Sequence, residues 1–186
     1  MNSLSFYSVG SFILVVLVLI AVISIVYRSW RNGISPMPSS AVVRRAVLSE
    51  LRRIPLPGLI VEAGSGWGTL ALQLATYNKA WRIVGIENSW IPLWVSKLSA
   101  SLKRTAADLD FQHGDIYQYQ YDQADVVICY LYPGAMTRLS TIMRVQLKPG
   151  AYLISVCFAM PGWEPERVVT CGDLYRTKLY IYRVKE

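Results

Sequence analysis

The stretch Leu59-Ile60-Val61-Glu62-Ala63-Gly64-Ser65-Gly66-Trp67-Gly68 decides the fold. A short apolar run ends in an acid, glycines follow at alternate positions, and Thr69 to Tyr77 then carries apolar residues at helical spacing. Strand, glycine turn and helix open a βαβ unit. In an open α/β sheet, ligands lie beyond the carboxyl ends of the strands, and glycines after the first strand let a ligand approach the backbone. A turn that simply joins strand to helix is the plainer reading of a glycine triplet taken alone.

Outward from this unit the chain alternates. Upstream, Ser39 or Ser40 can cap a helix running to about Arg53, with Val43, Ala46, Val47 and Leu51 on one face and Pro55 and Pro57 as its stop. Downstream, Arg82 to Glu87 reads as a strand and Trp90 to Arg104 as a helix. Ile91, Trp94, Leu98 and Leu102 recur along that helix and are expected in the core. Phe111 to Gly114 is a short strand, Ala124 to Leu131 a buried one, Gly134 to Leu147 a helix, and Ala151 to Phe158 another buried strand. No room for a crossover helix remains between Phe158 and Arg167, so Arg167 to Cys171 and Thr177 to Val184 are expected as an antiparallel hairpin. The pieces specify an α/β fold: a Rossmann-like, doubly wound, mostly parallel sheet with a C-terminal antiparallel hairpin.

The N-terminus is of another kind. No charged side chain occurs before Arg28, and Val9 to Tyr27 is long enough, at helical rise, for a hydrocarbon core of about 30 Å. The n-region lacks Lys and Arg and no small-residue cleavage site follows, which favours an uncleaved transmembrane helix over a signal peptide. Arg28, Arg31, Arg44 and Arg45 follow the span, so the charge bias predicts a single-pass membrane protein with its C-terminal domain in the cytoplasm. The expected organisation is an anchor over residues 1–27, a basic, proline-containing connector over 28–38 and a catalytic-size domain over 39–186. The net charge of +7 concentrates near that exit, which points to a lipid bilayer as partner rather than nucleic acid. Cys129, Cys157 and Cys171 have no metal-ligand spacing and are expected to be buried, reduced thiols.

The chemistry begins at Glu87. This acid ends the second strand, where a carboxylate can accept hydrogen bonds from both ribose hydroxyls of an adenosine. A dinucleotide fingerprint would need its third glycine at position 69, which is Thr69. The spacing from Glu62 through Gly64, Gly66 and Gly68 instead resembles motif I of class I, seven-strand methyltransferases dependent on S-adenosylmethionine. From about Ser35 to the end the chain resembles the protein-lysine methyltransferases related to those acting on the adenine nucleotide translocase and the ATP synthase c-subunit. Pro38 and Ser39, Gly114-Asp115-Ile116, Tyr130-Leu131-Tyr132-Pro133 and Phe158 to Pro165 carry the resemblance. It implies S-adenosylmethionine as cofactor, held by Glu62, Gly64, Ser65, Gly66, Gly68 and Glu87, with Asp115 against adenine. It departs at Trp67, where such relatives usually carry aspartate.

Methyl transfer needs a neutral amine held in line with a sulfonium carbon and no covalent nucleophile. Aromatic walls and a nearby acceptor meet that need, which makes Tyr130, Tyr132, Trp163 and Glu164 the candidates beside the methyl group. His113 reads as a turn residue. The expected reaction is methylation of lysine in a membrane or membrane-associated protein. The alternatives are a lipid, quinone or other small amphiphile as acceptor, or a non-catalytic module tethered to the membrane.

Overall fold

A computed structural model describes residues 3–32, 38–55, 58–103 and 107–185. Two compact units emerge, Met1–Ser35 and Pro36–Glu186. Residues 33–37 of the expected connector and Pro57 lie outside the described residues, as do the side chains of Arg28 and Arg31.

The first unit holds helix α1, Ser3–Asn32, with Phe12, Leu14 and Ile23 among its exposed apolar side chains. The expectation that it spans a bilayer is overturned. Among the described residues no helix is long and apolar enough to cross a membrane. The single-pass topology and the cytoplasmic placement, both inferred from that span, fall with it.

The second unit begins with α2, Ala41–Leu51, whose N-cap Ser40 accepts the Val43 N–H through its hydroxyl at 3.2 Å. Such a cap satisfies one of the orphan donors of the first turn. The sheet follows as β1 Leu59–Ala63, β2 Arg82–Glu87, β3 Asp108–His113, β4 Val126–Cys129, β5 Tyr152–Val156, β6 Arg167–Thr170 and β7 Lys178–Arg183. Between them lie α3 Thr69–Ala75, α4 Trp90–Lys103 and α5 Pro133–Gln146. The strand order is β3-β2-β1-β4-β5-β7-β6. The pairs among β1 to β5 are parallel, and β7 runs antiparallel to both β5 and β6. The expected doubly wound sheet with its terminal hairpin is therefore present.

Both faces of the sheet are covered, which is why its central strands read as continuous apolar runs rather than alternating ones. Ile60, Ile83, Val126, Ile128 and Ile154 pack toward Val47, Leu51, Leu70, Leu74 and Leu93 of α2, α3 and α4. Their neighbours Val61, Val84, Val127 and Leu153 face Met136, Leu139 and Met143 of α5. Glu50, buried on α2, pairs with Arg167 of β6 and with Arg53, so an ion pair joins α2 to the last hairpin.

Two expectations change here. Strand β3 starts at Asp108 rather than Phe111. It lies at the sheet edge with only Phe111 buried, so its apolar signal is weak. Helix α4 buries Pro92, Leu93 and Ser96, and leaves Trp94, Leu98 and Leu102 exposed rather than in the core.

Phe111 is the wedge that sets this geometry. A methyl at Gly85 would come 2.6 Å from its Cδ1, and one at Gly68 would come 2.5 Å from its Cζ. Those glycines leave the room that the ring fills. Phe111→Ala is expected to lower stability by about 3–5 kcal/mol, because the ring's contacts vanish and the cavity collapses only in part. Urea denaturation checks it, and a loss below about 1 kcal/mol would show that the ring is not the wedge.

Candidate functional site

The carboxyl ends of β1, β2, β3 and β4 bring the site together. At the tip of β1 the chain leaves the sheet through Gly64, Gly66 and Gly68, all with φ in the left-handed region at 78°, 52° and 70°. The Gly64 and Ser65 N–H groups both donate to the Ile86 carbonyl, at 3.0 and 2.9 Å, and the Gly68 N–H donates to Ser65 O at 2.8 Å. The loop is thus folded back on the end of β2. A methyl on Gly64 would come 2.8 Å from Leu131 Cδ2, so the segment after β4 closes against the same loop.

Glu87 stands at the centre. One carboxylate oxygen accepts the Gly66 N–H at 2.8 Å, the other the Ser89 N–H at 2.7 Å, and the residue is buried. Glu62, one strand away, accepts the Ala71 N–H at 3.1 Å. Burial pushes the Glu62 carboxyl up to about 8; the Ala71 N–H opposes this and the nearby Glu87 adds to it. Ser65 Oγ is buried with no hydrogen-bond partner, a polar atom left for a ligand to satisfy. Trp67 is half-buried in the loop.

At the end of β3 the Gly114 N–H donates to Glu87 O at 3.1 Å, which holds the next loop to the tip of β2. Asp115 follows and accepts the Tyr117 N–H at 2.9 Å, capping a turn through Tyr119. His113 is the last residue of β3 rather than part of a turn. Its ring stacks on Trp90 at 3.9 Å and 10°, with Nε2 at 3.0 Å from Asn88 O. The sequence reading missed Trp90 as a site residue. Its position three residues after the strand-terminal acid, at the start of α4, was the available cue.

The segment after β4 supplies the other wall. Tyr132 caps α5 and lies beside Tyr117, over whose ring Arg138 lies at 3.9 Å. Burial first, and then Tyr132, push the Tyr117 hydroxyl up to about 12, so it keeps its proton at neutral pH. Tyr117 was also missed. Burial likewise raises Tyr130, with Cys157 and Asp173 adding to it. Cys129 is buried and pushed up to about 12, Cys171 is buried, and Cys157 is only half-buried, at φ 75°.

Trp163 and Glu164 are not brought to this group. The register pairs Tyr152, the first residue of β5, with Arg183, and Glu166 N–H donates to Ile181 O, so the segment after β5 has run back toward the amino ends of the strands. Trp163 donates to Ser140 O of α5 at 3.3 Å and packs edge-on against Tyr182. Glu164 is exposed and borders a cavity with Gly150, Arg183 and Lys185, at the sheet end opposite the glycine loop. The Phe158 to Pro165 segment straps α5 to the sheet, with Met160 N–H donating to Tyr182 Oη at 2.7 Å.

The remaining set fits S-adenosylmethionine. Left-handed glycines admit a ligand to the loop backbone, Ser65 Oγ awaits a partner, and Glu62 and Glu87 place carboxyl groups beside a cationic ligand. Known proteins agree. A protein-lysine N-methyltransferase of Saccharolobus islandicus is 23% identical over 81% of this chain and 92% of its own. The adenine nucleotide translocase lysine N-methyltransferase of Mus musculus is 30% identical over 68% of this chain, though only 54% of its own length. Among solved structures, an RNA methyltransferase of Salinibacter ruber in complex with S-adenosyl-L-homocysteine superposes with a TM-score of 0.72. It is 29% identical and covers 81% of this chain and 95% of its own.

Two outcomes follow from the paired acids. Glu62 keeps its proton to about pH 8 when folded and loses it near 4.5 in the unfolded chain. The folded state thus binds more protons in between, and the contribution of Glu62 to stability is full below that lower value and is lost as pH rises through the upper one. The urea midpoint is expected to fall across this window, and Glu62→Gln to flatten the fall; a variant that tracks the parent at every pH would refute the assignment. Glu87→Ala is expected to weaken cofactor binding about 10- to 100-fold in isothermal titration, the loss of hydrogen bonds to a charged acceptor. An unchanged Kd would remove Glu87 from the cofactor site.

The family described as the ANTKMT methyltransferase domain matches residues 62–167, from the acid at the head of the glycine loop to the first residue of β6. That match takes in the glycine loop, Glu87, Asp115 and both tyrosines after β4, and the chain belongs to this family of methyltransferases, with S-adenosylmethionine as its cofactor.

Proposed function

We propose that the methyl acceptor is the ε-amine of a lysine in a protein, and that the protein is one rich in apolar helix, as membrane and membrane-associated proteins are. The observation that carries this reading is the pair of neighbouring rings Tyr132 and Tyr117, with Leu131, next to Tyr132 in the chain, packed on Gly64 of the glycine loop. The names of the archaeal and mouse relatives support it.

The bound cofactor supplies an electrophilic methyl group on a sulfonium centre. The chain's part is to hold and orient. Glu87 fixes the loop through the Gly66 N–H, so the backbone beneath the ligand does not have to reorganise. Tyrosine rings offer a π-rich, partly dry surface that accepts a lysine side chain. The Tyr117 hydroxyl, protonated at neutral pH, does not act as a base, and the amine reaches this wall already neutral or sheds its proton to solvent. Arg138, stacked over Tyr117, disfavours a second cation and so favours the neutral amine.

Incubation of the full chain with S-adenosylmethionine labelled in its methyl group, and with lysine-bearing apolar peptides or lipid extracts, tests the acceptor. Label recovered as methyllysine after peptide hydrolysis is the expected result. Label in the lipid fraction alone would overturn the lysine reading and leave methyl transfer standing.

A further inference from the structure

Helix α4 turns outward the very residues that its periodicity marks as a buried face. Trp90, Trp94, Leu98 and Leu102 recur at every fourth position and are 52%, 69%, 61% and 75% exposed. Such spacing sets them in one row, about 18 Å long. A contiguous apolar row of this size on a protein surface marks an interaction site.

What covers the row is indicated by its position and by its charge. Its first member, Trp90, stacks on His113 at the end of β3 and lies three residues beyond Glu87, so the row runs directly out of the cofactor site. Whatever lies along it is delivered to the methyl group. The helix also carries Lys97 and Lys103 and no acid. A second copy laid along the same row would set lysines against lysines, whereas a helix with acidic flanks would meet complementary charge.

We propose that the α4 row docks an apolar, acid-flanked helical segment of the protein substrate and so presents a lysine beyond the end of that segment to the site beside Trp90. The proposal rests on the lysine reading and names the substrate class for it. Recognition is of the helix-on-apolar-face kind, with anchors at i and i+4. Trp94 and Leu98, at the middle of the row, are the central anchors, where binding energy concentrates.

The test uses the full chain, its Trp94→Ser/Leu98→Ser double variant, and two peptides. One peptide is helical, with a leucine row, glutamate flanks and a single terminal lysine; the other is short and unstructured, with one lysine. Both altered positions are exposed, and the thermal midpoint checks that the fold persists. In the variant the KM for the helical peptide is expected to rise about 10- to 100-fold. Its kcat, the KM for the short peptide and the cofactor Kd stay unchanged. An unchanged KM for the helical peptide overturns the proposal. Fluorescence anisotropy of the labelled helical peptide reads docking without turnover. Binding to the parent and not to the variant, with neither peptide methylated, supports the docking row and refutes the lysine reading. Methylation of both peptides equally by both proteins refutes the row and keeps the lysine reading. A parent dimer that the variant dissociates, or binding of the row to phosphatidylglycerol vesicles and not to the peptide, also overturns it.

Discussion

The Glu87 carboxylate, held between the Gly66 and Ser89 N–H groups, is the constraint on which the site depends. It ties the glycine loop after β1 to the turn that starts α4, so two loops from neighbouring strands move as one. The Glu87 backbone carbonyl takes the Gly114 N–H as well, which adds the loop after β3. Three strand ends are thereby registered by one residue. A buried carboxylate would be costly without such donors, and here backbone groups supply them.

Beneath that residue the packing leaves little freedom. Phe111 fills the space that Gly68 and Gly85 vacate, and Leu131 closes on Gly64. The glycines therefore serve two ends, the left-handed backbone of the loop and close approach of the layers below and beside it. Glu62 pays part of the cost, since burial next to Glu87 holds its proton on. A cationic ligand beside this pair relieves the repulsion between the two carboxyl groups, which links affinity for such a ligand to the protonation of Glu62.

Much of this was legible in the sequence because it depends on local pattern. The run Leu59 to Gly68 and the acid at position 87 identify the parallel sheet, its first loop and the carboxylate that holds that loop, all set by strand ends and glycine positions. Asp115 was placed in the correct loop, although its side chain caps a turn. What failed depends on long-range register. Trp163 and Glu164 lie a few residues beyond β5, yet the chain reverses along the sheet and carries them to the opposite end. No local cue reports such a reversal. The span at the N-terminus was inferred from composition alone, and among the described residues no helix is long and apolar enough to cross a membrane.

The exposed row on α4 has a cause in the same packing. A methyl at Gly68 would meet Ser96 Cβ at 2.7 Å, so the helix lies almost in contact with the glycine loop. Only a small side chain fits at that face, and Ser96 is fully buried with its hydroxyl returned to the Leu93 carbonyl at 2.8 Å. Periodicity identifies Trp94, Leu98 and Leu102 as sharing a face, but it cannot say whether that face points in or out. The tight approach of loop to helix decides it: the face of Pro92, Leu93 and Ser96 turns inward, with the small Ser96 where the cofactor loop demands closeness, and Trp94, Leu98 and Leu102 are left outside. The constraint that shapes the cofactor site is therefore also the one that places an apolar surface at its entrance.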